Sequence, residues 1–339
     1  MADNLLSHDA VTDCSSLSSA DTSEGPGKSA EQTAVQFEYA PVVVFCYRRP
    51  DHLRRTLESL MHCDGFELTP VIVFGDGPKN PEQVEAVEQT REMARTLLGD
   101  RAEYHFREMN AGLARSVITG VGDVIGRFGR AIVIEDDLEL APGFLTYMNR
   151  ALERFADNDR VWQVSGYMFD VPEFKSRSEA FFLPMTVSWG WATWKRAWDQ
   201  FDPLAAGWEQ IDSDPALRRR FNLEGAYDYA TMLKRQMSGR LDSWAIRWYW
   251  TVFKANGLAL FPPVTLVRNN GFDGSGSHGR GLFRSFTNVD KLLHANESKM
   301  PTRVEQDQEI TTHVFDAIGR SNGGWRGKLI DWLCRLLRK

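Results

Sequence analysis

The chain has 339 residues, 42% of them hydrophobic, which suits a single large α/β catalytic domain with tails. Its formal net charge of -6 disfavours a general nucleic-acid-binding role, because no strong basic field is available to hold a phosphate backbone. No run of about 18 apolar residues is present, so no membrane-spanning helix is predicted. The N-terminus lacks the basic-then-apolar pattern of a secretory signal, and we therefore expect a cytoplasmic protein. The cysteines lack metal-ligand spacing, which predicts free thiols in a reducing compartment at Cys14, Cys46, Cys63 and Cys334.

Three regions follow one another along the chain. Residues 1–36 are rich in Ser, Asp, Thr, Glu and Gly without a sustained apolar period, which predicts a disordered tail. Residues 37–300 are predicted to form the catalytic domain, whose second half is rich in Trp, Phe and Gly. Residues 301–339 are predicted to form a C-terminal tail that contains a basic amphipathic helix.

Strand patterns alternate with helical patterns in the first half of the catalytic region. Short apolar, β-branched or alternating runs predict strands at 40–46, 70–74, 102–107 and 130–134. Helical periodicity predicts helices at 50–60, 82–98 and 112–128. This alternation predicts an α/β fold with a Rossmann-like, mostly parallel central sheet flanked by helices.

Acidic residues follow two of these strands. Glu135, Asp136 and Asp137 come directly after the fourth strand, and Asp76 comes after the second. Because ligands bind at the carboxyl ends of parallel strands, all four are predicted to face one crevice. Buried carboxylates need a cation, and Mn²⁺ or Mg²⁺ bound to a diphosphate would supply one. The alternative is an acid-rich helix N-terminus over 137–144.

The segment Glu-Asp-Asp-Leu-Glu-x-Ala-Pro-x-Phe at 135–144 closely resembles the metal motif of the N-acetylglucosaminyltransferase I family. It is also similar to bacterial family 2-like sugar transferases with the GT-A (nucleotide-diphospho-sugar transferase) fold. Pieces at 43–60, 74–77 and 110–115 resemble that fold in the same order along the chain. The resemblance implies a GT-A fold and a nucleotide-sugar donor.

The resemblance also implies roles for the acids. Glu135 would hydrogen-bond the donor sugar, Asp136 the ribose and Asp137 the metal ion. Asp76 matches the acid that contacts the uracil.

Three arginines join the donor-binding residues by the same resemblance. Arg48 or Arg49 would contact the nucleotide, and Arg115 lies in a turn that matches the Asn-x-Gly-Leu segment of bacterial members. The chain has Arg-Arg-Pro where many bacterial relatives have Asn-Arg-Pro. For Arg48 and Arg49 the alternative is a solvated helix start.

The predicted general base is Asp242, because an inverting transferase needs a group that takes the proton from the acceptor hydroxyl. Its segment resembles the Asp-Asp-Trp segment of the family, with Leu241 in place of the first Asp and Trp244 matching the Trp. The alternative is an N-cap for the helix that follows, and the two roles are compatible.

A tryptophan-rich motif at 188–194 resembles the Gly-Trp segment between the donor and acceptor regions. Trp189 and Gly190 are predicted to contact the sugar, since aromatic rings stack on sugars and Gly allows close approach. Helical spacing predicts a core role for Trp191, Trp194 and Trp198.

Two C-terminal features complete the expected site. His278, in a Gly-rich loop, is predicted to ligate the metal or contact the diphosphate, with a polar surface loop as the alternative. Residues 324–339 alternate apolar and basic residues, which predicts membrane-surface contact on the inner face of the membrane or packing against a partner.

We therefore expect a metal-dependent, inverting hexosyl- or N-acetylhexosaminyltransferase of polysaccharide biosynthesis. It would use a nucleotide-sugar donor, with UDP-sugars favoured, and a glycan or lipid-linked glycan acceptor. The alternatives are a nucleotidyltransferase that acts on sugar phosphates and a non-catalytic carbohydrate-binding protein. The sequence lacks the Gly-rich, basic loop after the first strand that a nucleotidyltransferase would usually show.

Overall fold

Four strands and three helices form the first half of the domain, where the sequence predicts them. The structure is a computed structural model that describes residues 39–174, 176–271 and 298–321. The strands are β1 (Val42–Cys46), β2 (Val71–Gly75), β3 (Ala102–Phe106) and β4 (Arg130–Glu135). The helices are α1 (Pro50–Met61), α2 (Val84–Leu98) and α3 (Leu113–Phe128). Pro occupies the first position of α1, where its missing N–H leaves no helical hydrogen bond unmade.

The second half is built from shorter pieces. Its strands are β5 (Leu138–Leu140), β6 (Val161–Ser165), β7 (Phe181–Leu183), β8 (Trp191–Trp194), β9 (Leu258–Phe261) and β10 (Val267–Asn269). Its first helices are α4 (Phe144–Arg154), α5 (Lys195–Trp198), α6 (Gln210–Ser213) and α7 (Pro215–Phe221). They are followed by α8 (Tyr229–Met237), α9 (Trp244–Lys254) and α10 (Gln308–Ser321).

Within the described residues, eight strands pair into one sheet in the order β3-β2-β1-β4-β8-β6-β9-β7. The four strands from β3 to β4 are parallel, and antiparallel pairings join β8 to β4 and to β6. The register places Phe45 opposite Glu135, and Cys46 opposite Gly75. The carboxyl ends of β1, β2 and β4 therefore meet at one edge, as the sequence predicts. A separate two-stranded sheet pairs β5 with β10.

Both faces of this sheet are covered by helices. Val42 and Val44 of β1 pack into a cluster with α1, α2 and α4. Val43 and Phe45 point the other way, into a cluster with α3 and α9. Because successive side chains of a strand alternate between faces, a strand buried on both sides must be apolar throughout. This explains the continuous apolar run of β1.

Trp191 and Trp194 lie in a strand, although their spacing with Trp198 is helical. Trp191 and Trp194 are the ends of β8, which lies between β4 and β6, and they pack on opposite faces of the sheet. Trp198 follows in α5 and is also buried. The predicted core role of all three is confirmed. Helical spacing does not distinguish a helix from a central strand here, because a central strand is apolar on both faces and its spacing can imitate a helical one.

Several predictions concern residues that the structure describes only in part or not at all. The tail at 1–36, His278 and the amphipathic segment at 324–339 lie outside. The domain boundaries at 37–300 and 301–339 stay predictions. Among the helices in the described part of the chain, none is long and apolar enough to cross a membrane. Cys46 and Cys63 are buried free thiols.

Candidate active site

The three consecutive acids form the turn between β4 and β5. Glu135 is the last residue of β4, and β5 begins at Leu138. Helix α4 begins only at Phe144, so the alternative of an acid-rich helix N-terminus is wrong. The side chains of Asp136 and Asp137 are only 5% and 12% exposed. Two carboxylates are thus held largely out of water at the predicted edge of the sheet.

Arg49 supplies the cation that these carboxylates face. Its Nη2 donates to Oδ1 of Asp136 and, over 2.8 Å, to Oδ2 of Asp137. The backbone N–H of Tyr47 donates to Oδ2 of Asp136 over 3.2 Å. The alternative of a solvated helix start is therefore wrong for Arg49, whose side chain is 17% exposed. Arg48 is exposed, and its contact with the nucleotide stays a prediction.

One guanidinium does not balance three carboxylates. Burial, reinforced by Asp137 and Asp136, raises the pKa of Glu135 to about 8. Burial also raises the pKa of Asp136 to about 6, although Arg49 acts to lower it. Burial acts to lower the pKa of Arg49, but Asp136 and Asp137 outweigh it and the pKa is raised. The raised pKa values show that the ionised forms of Glu135 and Asp136 are disfavoured, and a further cation would stabilise them.

Helix α1 binds the acid turn through two hydroxyls that the sequence reasoning missed. Thr56 Oγ1 donates to the carbonyl of Asp136 over 2.8 Å. The Leu140 N–H donates to Ser59 Oγ over 3.1 Å, and Ser59 Oγ donates to the carbonyl of Thr56 over 2.8 Å. In the sequence, the only indication of these contacts was the spacing of Thr56 and Ser59, two hydroxyl residues three positions apart among the apolar residues of a predicted helix.

Strand β10 returns to the acid turn from the far end of the domain. The Asn270 N–H donates to the carbonyl of Asp137 over 2.8 Å. A Cβ on Gly271 would lie 2.1 Å from Oδ2 of Asp137, so a larger residue there would displace the Asp137 carboxylate. The backbone after β10 thus lies against the carboxylate predicted to hold the metal, seven residues before His278.

Asp76 joins the end of β2 to the turn before α3. Its carboxylate accepts from the N–H groups of Gly77, Ala111 and Gly112 over 3.0, 2.8 and 2.9 Å. The Asn110 side chain closes the turn by donating to the carbonyl of Gly77 over 2.9 Å. The structure therefore unites two segments that the resemblance matches separately. Contact between Asp76 and the uracil stays a prediction.

Asp242 lies at the start of α3, although it belongs to the loop before α9. Its Oδ2 accepts a hydrogen bond from the Ala114 N–H over 3.3 Å. The N-cap residue of α3 is Gly112, which has no side chain to cap the helix, so Asp242 supplies the cap instead. The N-cap of α9 is Ser243, whose Oγ accepts from the Ile246 N–H over 3.4 Å. The alternative in which Asp242 caps its own helix is therefore wrong. Asp242 is exposed, and its role as a base stays a prediction.

Gly190 is a packing position next to the site. It adopts φ +62°, and a Cβ would lie 2.7 Å from Val267 Cγ2 and 3.1 Å from Phe144 Cε2. Trp189 is partly exposed and packs edge-to-face on Tyr167, with ring centroids 4.6 Å apart. Val267 belongs to β10, which pairs with β5, and Phe144 begins α4, so Gly190 packs against elements that follow the acid turn. Contact of Trp189 or Gly190 with a sugar stays a prediction.

Arg115 is exposed in the first turn of α3, three residues after Gly112. Its contact with the donor also stays a prediction.

Comparison with known sequences decides the family. The model of the GNT-I family matches residues 9–222, which is more than half of the chain. The chain belongs to the GNT-I family. Membership confirms the predicted enzyme class, a glycosyltransferase, and the predicted GT-A fold.

Solved glycosyltransferases are similar to this GNT-I family member at low identity. The mannosyltransferase PcManGT from Pyrobaculum calidifontis, in complex with GDP-Man and Mn²⁺, is 16% identical with a TM-score of 0.31. The match covers 46% of this chain and 45% of that chain. Glucosyl-3-phosphoglycerate synthase from Mycobacterium tuberculosis is 14% identical over 57% of this chain and 71% of that chain, with a TM-score of 0.33. Mouse xyloside xylosyltransferase 1 is 11% identical over 64% of this chain and 81% of that chain, with a TM-score of 0.31.

The acid turn of this GNT-I family member suits a metal ion that arrives with a diphosphate. Among the described residues, no group of three His, Cys, Asp or Glu side chains could hold a metal ion by itself. Mg²⁺ and similar ions are often held by one or two carboxylates together with substrate phosphates. Asp137 provides such a carboxylate, and Nη1 of Arg49 is a buried donor without a hydrogen-bond partner in the described part of the chain. The residues therefore fit a metal–diphosphate group.

Proposed function

We propose that this protein is a metal-dependent, inverting glycosyltransferase. It moves a hexosyl or N-acetylhexosaminyl group from a nucleoside-diphosphate donor, with UDP-sugars favoured, to a hydroxyl of a glycan or lipid-linked glycan. One observation carries the proposal: three consecutive acidic side chains, two of them largely withdrawn from water and opposed by one guanidinium, lie where the central parallel strand β4 ends. Ionising all three is costly unless the site binds a further cation.

The donor is held by residues of the acid turn and the start of α1. Asp137 would hold Mn²⁺ or Mg²⁺, which neutralises charge on the leaving diphosphate when it is bound. Arg49 orients Asp136 and Asp137, and its unpartnered Nη1 can donate to a diphosphate oxygen. Glu135 and Asp136 contact the donor sugar and the ribose, as the family resemblance implies. These contacts fix the anomeric carbon beside the crevice.

Asp242 takes the proton from the acceptor hydroxyl. Its carboxylate is exposed at the start of α3, and that helix starts at the same edge of the sheet as the acid turn. A base on the acceptor side allows the hydroxyl to attack the anomeric carbon from the face opposite the leaving diphosphate. That geometry inverts the anomeric configuration.

The first test is release of nucleoside diphosphate from a panel of UDP-, GDP- and dTDP-sugars with Mn²⁺ or Mg²⁺. Asp137→Asn should abolish release, and EDTA should do the same to the wild type. Asp123→Asn is the matched control, because Asp123 is an exposed acid on the outer surface of α3 that faces Arg127. Asp242→Asn should keep metal-dependent donor binding and lose transfer to an acceptor.

The remaining outcomes separate the alternatives. Calorimetry that detects no metal-dependent binding of any of these donors would refute the proposal. Binding without turnover, in the presence of a panel of acceptor glycans, would favour a carbohydrate-binding protein. Pyrophosphate release from a nucleoside triphosphate and a sugar phosphate would identify a nucleotidyltransferase.

A further inference from the structure

Thr56 is a buried hydroxyl whose partner lies far away in sequence. Thr56 is 1% exposed, and its hydroxyl donates to the carbonyl of Asp136, which lies 80 positions further along the chain. That carbonyl belongs to the peptide bond that joins Asp136 to Asp137. Because a peptide is planar, the orientation of this carbonyl constrains where both neighbouring side chains begin.

The choice of partner distinguishes Thr56 from an ordinary helical threonine. A Thr inside a helix can satisfy its hydroxyl on the carbonyl four residues earlier. Thr90, which is fully buried in α2, does so by donating to the carbonyl of Ala86 over 2.7 Å. Thr56 instead directs its hydroxyl out of α1 and onto the acid turn.

Ser59 extends the same contact along α1. It donates to the carbonyl of Thr56 and accepts from the N–H of Leu140, so one hydroxyl binds the backbone between the acids and the other binds the end of β5. Beyond the C-terminus of α1, the Asp64 N–H donates to the carbonyl of Pro142, two residues after β5, over 2.9 Å. The acid turn and the strand that follows it are therefore attached to α1 and to the loop after α1 at successive points.

We propose that Thr56, supported by Ser59, is a positioning residue for the metal–diphosphate site. It holds the peptide between Asp136 and Asp137 so that the Asp137 carboxylate stays directed at the incoming ion. Hydrogen bonds behind the residues that hold a metal commonly govern its affinity, and their loss costs about 10–100-fold. This role rests on the proposed function. Thr56 and Ser59 contact the backbone of the site and not the donor itself.

The test compares isosteric and conservative variants. Thr56→Val removes the donor while keeping the shape, Thr56→Ser keeps the hydroxyl, and Thr90→Val is the matched control for a buried helical Thr→Val change. Titration calorimetry measures the Kd of UDP or GDP, whichever the wild type binds better, in the presence of Mn²⁺. We expect about a 10-fold or larger rise in Kd for Thr56→Val, recovery to within about 3-fold for Thr56→Ser, and no change for Thr90→Val.

The outcomes are distinguishable. Equal Kd values for Thr56→Val and Thr90→Val, at comparable melting temperatures, would overturn the inference. If Thr56→Val does not fold, Ser59→Ala decides, with a raised Kd in support and an unchanged Kd against. If the wild type binds neither diphosphate with Mn²⁺, the proposed function itself fails, which is a different result from normal binding by all variants.

Discussion

Replacing Arg49 with Met should destabilise the metal-free protein far more than an ordinary loss of a surface arginine. The change leaves two carboxylates, 5% and 12% exposed, without their cation. Removing one partner of a buried ion pair costs about 3–5 kcal/mol, whereas an exposed pair contributes about 0–1 kcal/mol. We expect a loss of about 3 kcal/mol in the free energy of unfolding at pH 8, measured by urea denaturation in EDTA.

The same variant should be less destabilised in acid. The folded-state pKa values of Glu135 and Asp136, about 8 and about 6, lie above their ordinary values. The folded state then binds more protons than the unfolded state, so the contribution of these groups to stability falls as pH rises from about 4 to 8. Arg49 acts to lower both pKa values, so its removal raises them further. The loss of stability with rising pH then becomes larger, by at most about 1.4 kcal/mol per pH unit for each group. The loss in Arg49→Met should therefore be smaller at pH 5 than at pH 8.

Arg54, in the helix that Arg49 precedes, provides the matched control. Its guanidinium is 44% exposed and pairs only with the exposed acids Asp51 and Glu58, among the ion pairs in the described part of the chain. Arg54→Met should cost less than about 1 kcal/mol at either pH. Equal losses in Arg49→Met and Arg54→Met, or a larger loss for Arg49→Met at pH 5 than at pH 8, would refute the reasoning.

Two further substitutions probe the charge and the packing of the site. Glu135→Gln should raise the urea midpoint of the metal-free protein at pH 8 and raise it much less at pH 5, because the raised pKa of Glu135 costs less stability as the pH approaches its ordinary value of 4.5. An equal change at both pH values would contradict the raised pKa. Gly190→Ala should cost about 2–5 kcal/mol, because φ is +62° and the new Cβ would lie 2.7 Å from Val267 Cγ2. The control is Gly126→Ala in α3, where a new Cβ would meet no atom of the described residues within 4 Å; this change should be neutral or stabilising by up to about 1 kcal/mol. Equal melting temperatures for the two variants in thermal unfolding would count against this account.

The first half of the fold was predictable because its signals are local. The continuous apolar run of β1 reports burial on both faces, and Pro50 reports the start of α1. The acids that follow β4 lie at a strand end, where parallel sheets bind ligands. Each of these signals is contained in about ten neighbouring residues, so the sequence determined the fold class and placed the acids at the carboxyl edge of the parallel strands.

The second half and the fine structure of the site depend on partners that are distant in sequence. Trp191 and Trp194 have a helical spacing, but β4 and β6 on either side of them impose a strand. Asp242 precedes α9 and yet caps α3, 128 positions away from its partner Ala114. Thr56 lies on an apolar helix face and yet donates to the acid turn. Apolar periodicity reports that a surface is buried but not which element covers it, so the hydrogen-bond partners of polar side chains are decided only when the tertiary structure brings those elements together.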